Sequence, residues 1–399
     1  MTARERFLAI CRFESENDPF FWGIDSWNET FRRWTGEGMP VKNLQNKKEV
    51  NHHLLGYQNQ NETIWPNAAI RGMGPCNNPP WVPPLDPMFE VKVLQKEEEH
   101  IVKVDYDGAI VRVMKDDPEK MPQYLEYPVK DHASWEIYKK RLDPESSGRW
   151  PAGWDTITDK QLQWPIRDGQ EGQSWEKRDF PLGMMALSLF GMPRNYMGLE
   201  NISIAIYDNP SLVEEMIEWQ CHVSCEMLQK VFAAGINLDW VWLWEDMCYN
   251  KGPLVSPAFV KRSMVPHYRK VVDLLLENGV AALILDSDGN TEELIPIWLD
   301  CGINAQYPFE IASNMDPVRL RKQYGKNLII VGGVDKRNLA LGKAEIDQEV
   351  EKVKYLVGES GYFVNCDHHI PPDVSYENIR YFLNQVHALH EDPHLRRKI

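Results

Sequence analysis

The chain has 399 residues, 43% hydrophobic and 26% charged, with a formal charge of −15. That is enough apolar material for one large barrel or two ordinary domains, and the negative balance argues against a nucleic-acid backbone or an anionic membrane as partner. No run approaches the roughly 18 apolar residues of a membrane span. The start, Met1-Thr2-Ala3-Arg4-Glu5-Arg6, has no signal-peptide apolar core behind it, so the expected location is cytoplasmic. Seven scattered cysteines without a Cys-x-x-Cys predict neither a disulfide framework nor a thiolate zinc knuckle.

In chain order, the first candidate strand is Phe20-Phe21-Trp22-Gly23-Ile24. The sequence to about residue 175 is otherwise irregular, with Pro79-Pro80, Pro83-Pro84 and many tryptophans (Trp27, Trp34, Trp65, Trp81, Trp150, Trp154, Trp164, Trp175). Within it, two alternating runs, 100–104 and 109–114, flank Asp105-Tyr106-Asp107-Gly108 and predict a hairpin. From about residue 180 the pattern becomes strand, loop, helix, repeated. Strands are expected at 182–189, 240–243, 281–285, 305–308, 328–331 and 362–364. Helices are expected at 210–234, 257–277, 291–299, 317–324, 344–357 and 374–389, several with proline in the first turn. Alternation of this kind builds a parallel sheet, and eight such units close a (β/α)8 TIM-type barrel. The expectation is one α/β domain over 1–399: residues 1–175 form a long N-terminal extension with the first strands, and 176–399 form the regular units. No Gly-x-Gly-x-x-Gly or P-loop follows any strand, which disfavours a nucleotide cofactor.

Four strand ends collect reactive side chains: Trp244-Glu245-Asp246, Asp286-Ser287-Asp288, Tyr307-Pro308-Phe309-Glu310 and Asn365-Cys366-Asp367-His368-His369. In a barrel these share one rim, the one on which chemistry is placed. Oxygen ligands and one imidazole suit a divalent cation such as zinc, manganese, magnesium or ferrous iron. A helix cap accounts for one of Asp286 and Asp288, but not for both. Of His368 and His369, at most one faces the centre of the rim. Glu245 is a candidate acid, and Trp22, Trp27 and Tyr307 are candidate walls of an apolar pocket.

Several segments together carry a resemblance to a known family. They are Gly252-Pro253-Leu254-Val255-Ser256-Pro257, Pro266-His267-Tyr268, Gly332-Gly333-Val334-Asp335 and Asn365-Cys366-Asp367-His368-His369-Ile370. The chain resembles the uroporphyrinogen decarboxylase superfamily along essentially its whole length, most strongly from residue 180 onward. In the decarboxylases the last segment presents a histidine, which falls on His368. In the corrinoid and coenzyme M methyltransferases of the superfamily, a His-x-Cys pair and a later cysteine bind zinc, and those positions fall on Asp286, Asp288 and His368. Every thiolate is thus replaced, which suits an oxygen-bearing substrate better than a thiol. The decarboxylases also carry an N-terminal arginine-rich segment that grips propionates. Here only Arg4 and Arg6 precede Phe7, and the following strand has no arginine.

The resemblance therefore implies a corrinoid-dependent methyltransferase, with O-demethylation of a methoxylated aromatic as the specific form. The metal, zinc foremost, would be held by Asp286, Asp288 and His368, with His368 and Glu245 as catalytic groups. The corrinoid would be supplied by a transient partner protein, since no Asp-x-His-x-x-Gly cobalamin motif occurs in this chain. Decarboxylation of a porphyrin-like or smaller carboxylic acid is the alternative. A non-catalytic ligand-binding barrel with solvated acids is a third reading, which metal content would separate from the first.

Overall fold

The computed structural model describes residues 1–15, 18–24, 26–41, 54, 85–116, 120–146 and 181–389. The tryptophans at 65, 81, 150, 154, 164 and 175 and the two proline pairs lie outside the described residues. Seven parallel strands make the main sheet: β1 (Phe20–Phe21), β6 (Gly183–Leu187), β7 (Trp240–Trp244), β10 (Ala282–Asp286), β11 (Ala305–Tyr307), β12 (Ile329–Val331) and β13 (Tyr362–Val364). Their order is β1-β13-β12-β11-β10-β7-β6. This is the winding of an α/β barrel, with the last strand returning to pair with the first. An eighth strand between β1 and β6 would close the ring, and the described residues do not supply it.

The sheet curls strongly. Trp22, one residue past β1, stacks on Trp242 at 5.7 Å and meets Trp240 edge-on at 5.3 Å, although β1 and β7 stand near opposite ends of the strand order. Alternate residues of a strand share a face, so Trp240, Trp242 and Trp244 point one way with Ala282, Ile284 and Asp286 of the paired β10. Gly183 of β6 pairs with Trp240, and a Cβ there would sit 2.0 Å from the indole. Only glycine leaves room for that ring on the neighbouring strand.

The end of the barrel where the strands begin is sealed by ion pairs and aromatic packing. The helix Ala3–Cys11, capped by a Thr2–Glu5 box, lays Phe7 against Phe20 and Phe363. Its Arg4 pairs with buried Asp239 at 2.9 Å, and Asp239 also accepts from the Leu182 amide. Arg6 pairs with buried Asp18. Arg321, 3% exposed, donates to the carbonyls of Gly325, Leu328 and Gly361, and burial pulls its pKa down to about 10. The two N-terminal arginines are thus committed to holding the fold at the strand starts.

Helices cover the sheet largely where the periodicity places them: Pro210–Ala233, Val265–Glu277, Pro317–Tyr324, Lys343–Gly358 and Tyr376–His387. The helix expected over 257–277 is divided. A π-turn at Val260–Met264 precedes Pro266, which has no amide hydrogen to donate. The helices Asn28–Gly36, His132–Lys139, Gly191–Met197 and Leu199–Asp208 were not anticipated, being short and lacking a long apolar stripe.

A separate antiparallel meander, β2 (Lys92–Lys96), β3 (His100–Val104), β4 (Ile110–Met114) and β5 (Gln123–Glu126), contains the expected hairpin, with Gly108 at φ +88° in its turn. It is joined to the barrel through Val129, whose amide donates to the Tyr196 carbonyl, and through Tyr138 packed on Tyr196 at 4.5 Å. A two-residue ribbon, β8 (Cys248–Tyr249) with β9 (Gly252–Pro253), follows β7.

Gly183→Ala is expected to destabilise the fold by about 1–3 kcal/mol, the usual cost of an overpacked core. Trp240→Phe in the same chain should recover part of that loss, because it removes the overlapping ring. Chemical unfolding of the two single variants and the double variant measures the coupling.

Candidate functional site

The reactive residues stand where β7, β10, β11 and β13 end. The loop after β10 turns sharply at Gly289, with φ +79°, and a Cβ there would strike the Tyr249 backbone at 2.6 Å. This close approach lets Asn290 donate its amide to the Tyr249 carbonyl, and it presents Asp288 to the mouth. The Gly289 amide donates to Glu310 Oε2 at 2.9 Å, while Ser313 donates to the same oxygen at 3.3 Å. From β13, His368 Nε2 comes 3.3 Å from Asp288 Oδ2.

One oxygen of Asp288, one of Glu310 and one nitrogen of His368 all lie within 4.8 Å of one another, and all three residues are partly exposed. The structure therefore brings together two of the three expected ligands, Asp288 and His368, and adds Glu310. The sequence placed Glu310 on the rim but gave no reason to prefer it as a ligand, since its approach depends on the Gly289 turn in another loop.

Asp286 is held differently. Its Oδ2 accepts from Trp242 Nε1 at 2.9 Å, and its backbone carbonyl accepts from the amides of Glu245 and Asp246. It is not a member of the three-residue cluster. Burial pushes its carboxyl well above the usual range, and the negative charge of Asp288 adds to this. The Trp242 hydrogen bond pulls the other way and is outweighed. For His368, burial alone would lower the imidazolium. The hydrogen bond and charge of Asp288, with the charge of Glu310, outweigh it and raise the pKa.

Glu245 is fully buried, and its two oxygens accept from the amides of Leu189, Phe190 and Gly191 and from the Tyr268 hydroxyl. Burial raises its carboxyl despite those bonds. Its neighbour Asp246, at φ +40°, is paired with Arg194 at 2.6 Å. Glu245 thus anchors the start of the helix Gly191–Met197, enclosed away from the cluster's exposed oxygens.

The three expected wall residues take different places. Tyr307 lies 5.0 Å from Trp242, beside the indole that holds Asp286. Trp22 forms the floor behind Trp242 and is only 2% exposed. Trp27, 45% exposed, is at the rim, 5.0 Å from His369, which packs edge-on against His368. The aromatic residues thus run from interior to mouth alongside the acids.

An acid–imidazole cluster on the C-terminal rim of a curled parallel sheet defines an α/β-barrel protein with a polar, metal-compatible mouth. The sequence model for uroporphyrinogen decarboxylase (URO-D) matches residues 176–389, and the chain belongs to that family. Curated relatives include the uroporphyrinogen decarboxylases of Helicobacter pylori, 22% identical over 188 residues, and of Sulfurimonas denitrificans, 22% identical over 192 residues. These alignments cover 46% of this chain and 51% and 50% of the respective relatives, so the chain spans about half the length of the curated relatives it matches. A solved structure described as a methyltransferase from Methanosarcina mazei superposes with a TM-score of 0.56 over 97% of this chain and 98% of that one, at 14% identity. That likeness is one of fold.

Asp286→Asn is expected to raise the melting temperature at pH 7. A carboxyl whose folded pKa is raised takes up a proton on folding. Stability is therefore lost as pH climbs from the unfolded value, about 3.9, through the folded one. Asparagine removes that loss and still accepts from Trp242 Nε1. Melting curves of the two proteins should converge near pH 4 and separate as pH rises; parallel curves would show that Asp286 ionises without penalty.

Proposed function

We propose that this protein is a methyltransferase that moves a methyl group from a methoxylated, aromatic small molecule to a corrinoid carried by a separate protein. The observation that carries this reading is the hard donor set itself: Asp288, Glu310 and His368, converging within 4.8 Å with no thiolate among them. Two carboxylate oxygens and an imidazole nitrogen fit a divalent cation such as zinc, manganese or ferrous iron. Such a cation, when bound, supplies Lewis-acid polarisation of an ether oxygen, the help a poor alkoxide or phenoxide leaving group requires. The corrinoid is the methyl acceptor.

The chain's own residues have separate tasks in this proposal. With no cation bound, His368, its imidazolium favoured by Asp288, can instead place a proton on the departing oxygen. Glu245 keeps the turn at 188–191 in place. Tyr307 and Trp27 offer aromatic faces beside the cluster, and Trp22 backs the wall. We also propose that the barrel closes with an eighth strand and that 176–399 carries its regular units. Among the described residues no helix is long and apolar enough to cross a membrane.

The second reading, decarboxylation with His368 as proton donor, is favoured by the curated relatives. A polycarboxylate would, however, meet Asp288 and Glu310 on this rim, while Arg194 is engaged with Asp246. Arg4 and Arg6 are engaged with Asp239 and Asp18 at the other end of the barrel.

Purified protein is expected to carry near-stoichiometric divalent metal by elemental analysis. Asp288→Ala, Glu310→Ala and His368→Ala should each weaken its retention at least about tenfold. Mixed with methoxylated aromatics and a reduced corrinoid protein, the wild type should generate the methyl-cobalt absorbance. Full activity in metal-free protein would remove the cation from the scheme. Carbon dioxide release from a carboxylated substrate, with no methyl transfer across a donor panel, would give the decarboxylase reading instead.

A further inference from the structure

We propose that Asp367 is a positioning residue whose carboxylate sets the spacing of the Asp288–Glu310–His368 cluster. It would do so by binding the loops after β11 and β12 to the end of β13. This rests on the reading of those three residues as the working site. Asp367 is fully buried and immediately precedes His368. Its Oδ2 accepts from the Ile311 amide at 3.2 Å, and Ile311 immediately follows Glu310. Its Oδ1 accepts from both nitrogens of Lys336, the amide at 3.3 Å and Nζ at 3.0 Å, at the first turn of the helix Lys336–Leu341. Its own amide donates to the Val334 carbonyl at 2.8 Å, which pins the backbone of β13's end to the loop after β12.

These contacts close a ring. Asp288 contacts His368; the next residue, Gly289, donates to Glu310; the residue after Glu310 donates to Asp367; and Asp367 leads back to His368. All three cluster residues are members of the ring, and Asp367 is its buried link. The chemistry demands a carboxylate, because the side chain faces only donors. Asparagine would turn an NH2 toward either Ile311 or Lys336, and alanine would leave both without an acceptor. Glu245 performs the corresponding task across the rim, accepting the amides that begin the helix Gly191–Met197.

Positioning can be told from simple electrostatics by sign. Removing the negative charge of Asp367 weakens cation binding on either account. Removing the positive charge of Lys336 would strengthen cation binding if charge alone mattered, and weakens it if the clamp sets the geometry. The experiment measures Co2+ affinity of the full chain by titration calorimetry for wild type, Asp367→Asn, Lys336→Met and Lys336→Arg. Asp18→Asn, which breaks a buried pair at the opposite end of the barrel, is the control.

Expected are losses of about 10–100-fold for Asp367→Asn and a smaller loss for Lys336→Met. Lys336→Arg should recover part of that loss, and Asp18→Asn should be less stable with unchanged affinity. Unchanged or tighter binding in folded Lys336→Met overturns the proposal, whether or not Asp367→Asn folds. A second readout, the 15N resonances of the His368 imidazole in metal-free protein, keeps the two readings apart. If wild type binds no Co2+, the metal reading fails on its own. The clamp is then judged by whether those resonances move in the Asp367 and Lys336 variants, as it requires, or stay in place, which overturns it.

Discussion

The rest of the site depends on one electrostatic constraint: several carboxylates are crowded onto the C-terminal rim, in a mouth walled by Trp242, Tyr307 and Trp22. Two unit charges 4.8 Å apart, the outer limit for the cluster's ligand atoms, repel by about 3.5 kcal/mol at an effective dielectric of about 20, before solvent screening at the exposed oxygens. The structure relieves this in three ways. Asp246 is paired with Arg194. Asp286 is pushed toward its protonated form by burial and by Asp288. Asp288 and Glu310 are left facing His368, whose imidazolium they favour. The negative charge left at the mouth is thereby confined to Asp288 and Glu310.

The two ends of the barrel divide stability from chemistry. Where the strands begin, each cation has buried acceptors: Arg4 meets Asp239, Arg6 meets Asp18, and the buried Arg321 meets three carbonyls. Where the strands finish, Asp246 and Asp367 are also paired, with Arg194 and Lys336, but Asp288 and Glu310 are left facing His368, and the backbone itself is strained. Asp246 at φ +40° and Phe309 at φ +62° each lie just past a strand, in a region that costs a non-glycine residue of order 1 kcal/mol or more. Such strain persists only when its surroundings over-determine it. Here the hydrogen bonds of Glu245, and those that Glu310 accepts, hold the two loops.

Buried carboxylates that bind loop amides recur around this rim and give the loops their rigidity. Glu245 gathers three amides and a hydroxyl, and Asp367 gathers two amides and an ammonium. Ionised groups are costly to bury alone, and each is tolerated because its lone pairs are met by donors. The exposed acids between them are therefore carried on a frame that does not have to rearrange when a ligand arrives.

Periodicity and short apolar runs were enough to locate β7, β10, β11, β12 and β13 and the long helices between them. A buried parallel strand shows as a continuous apolar stretch, and an amphipathic helix repeats every three to four residues. The same local logic placed Asp286, Asp288, Glu310 and His368 on one rim, because strand ends of a barrel converge whatever the loops do. The short helices near residues 28–36 and 191–208 left no such trace, since fewer than three turns give too little repeat to see. Division of labour among the rim residues was decided only in three dimensions. Asp286 and Asp288 are two residues apart and chemically identical, yet the first faces Trp242 from a neighbouring strand and the second faces His368 from β13's end. Glu310 joins them because Gly289 turns back against Tyr249 and offers its amide, a contact between segments 21 residues apart. Which acid is buried, which is paired and which stays available depends on partners that only the folded chain brings near.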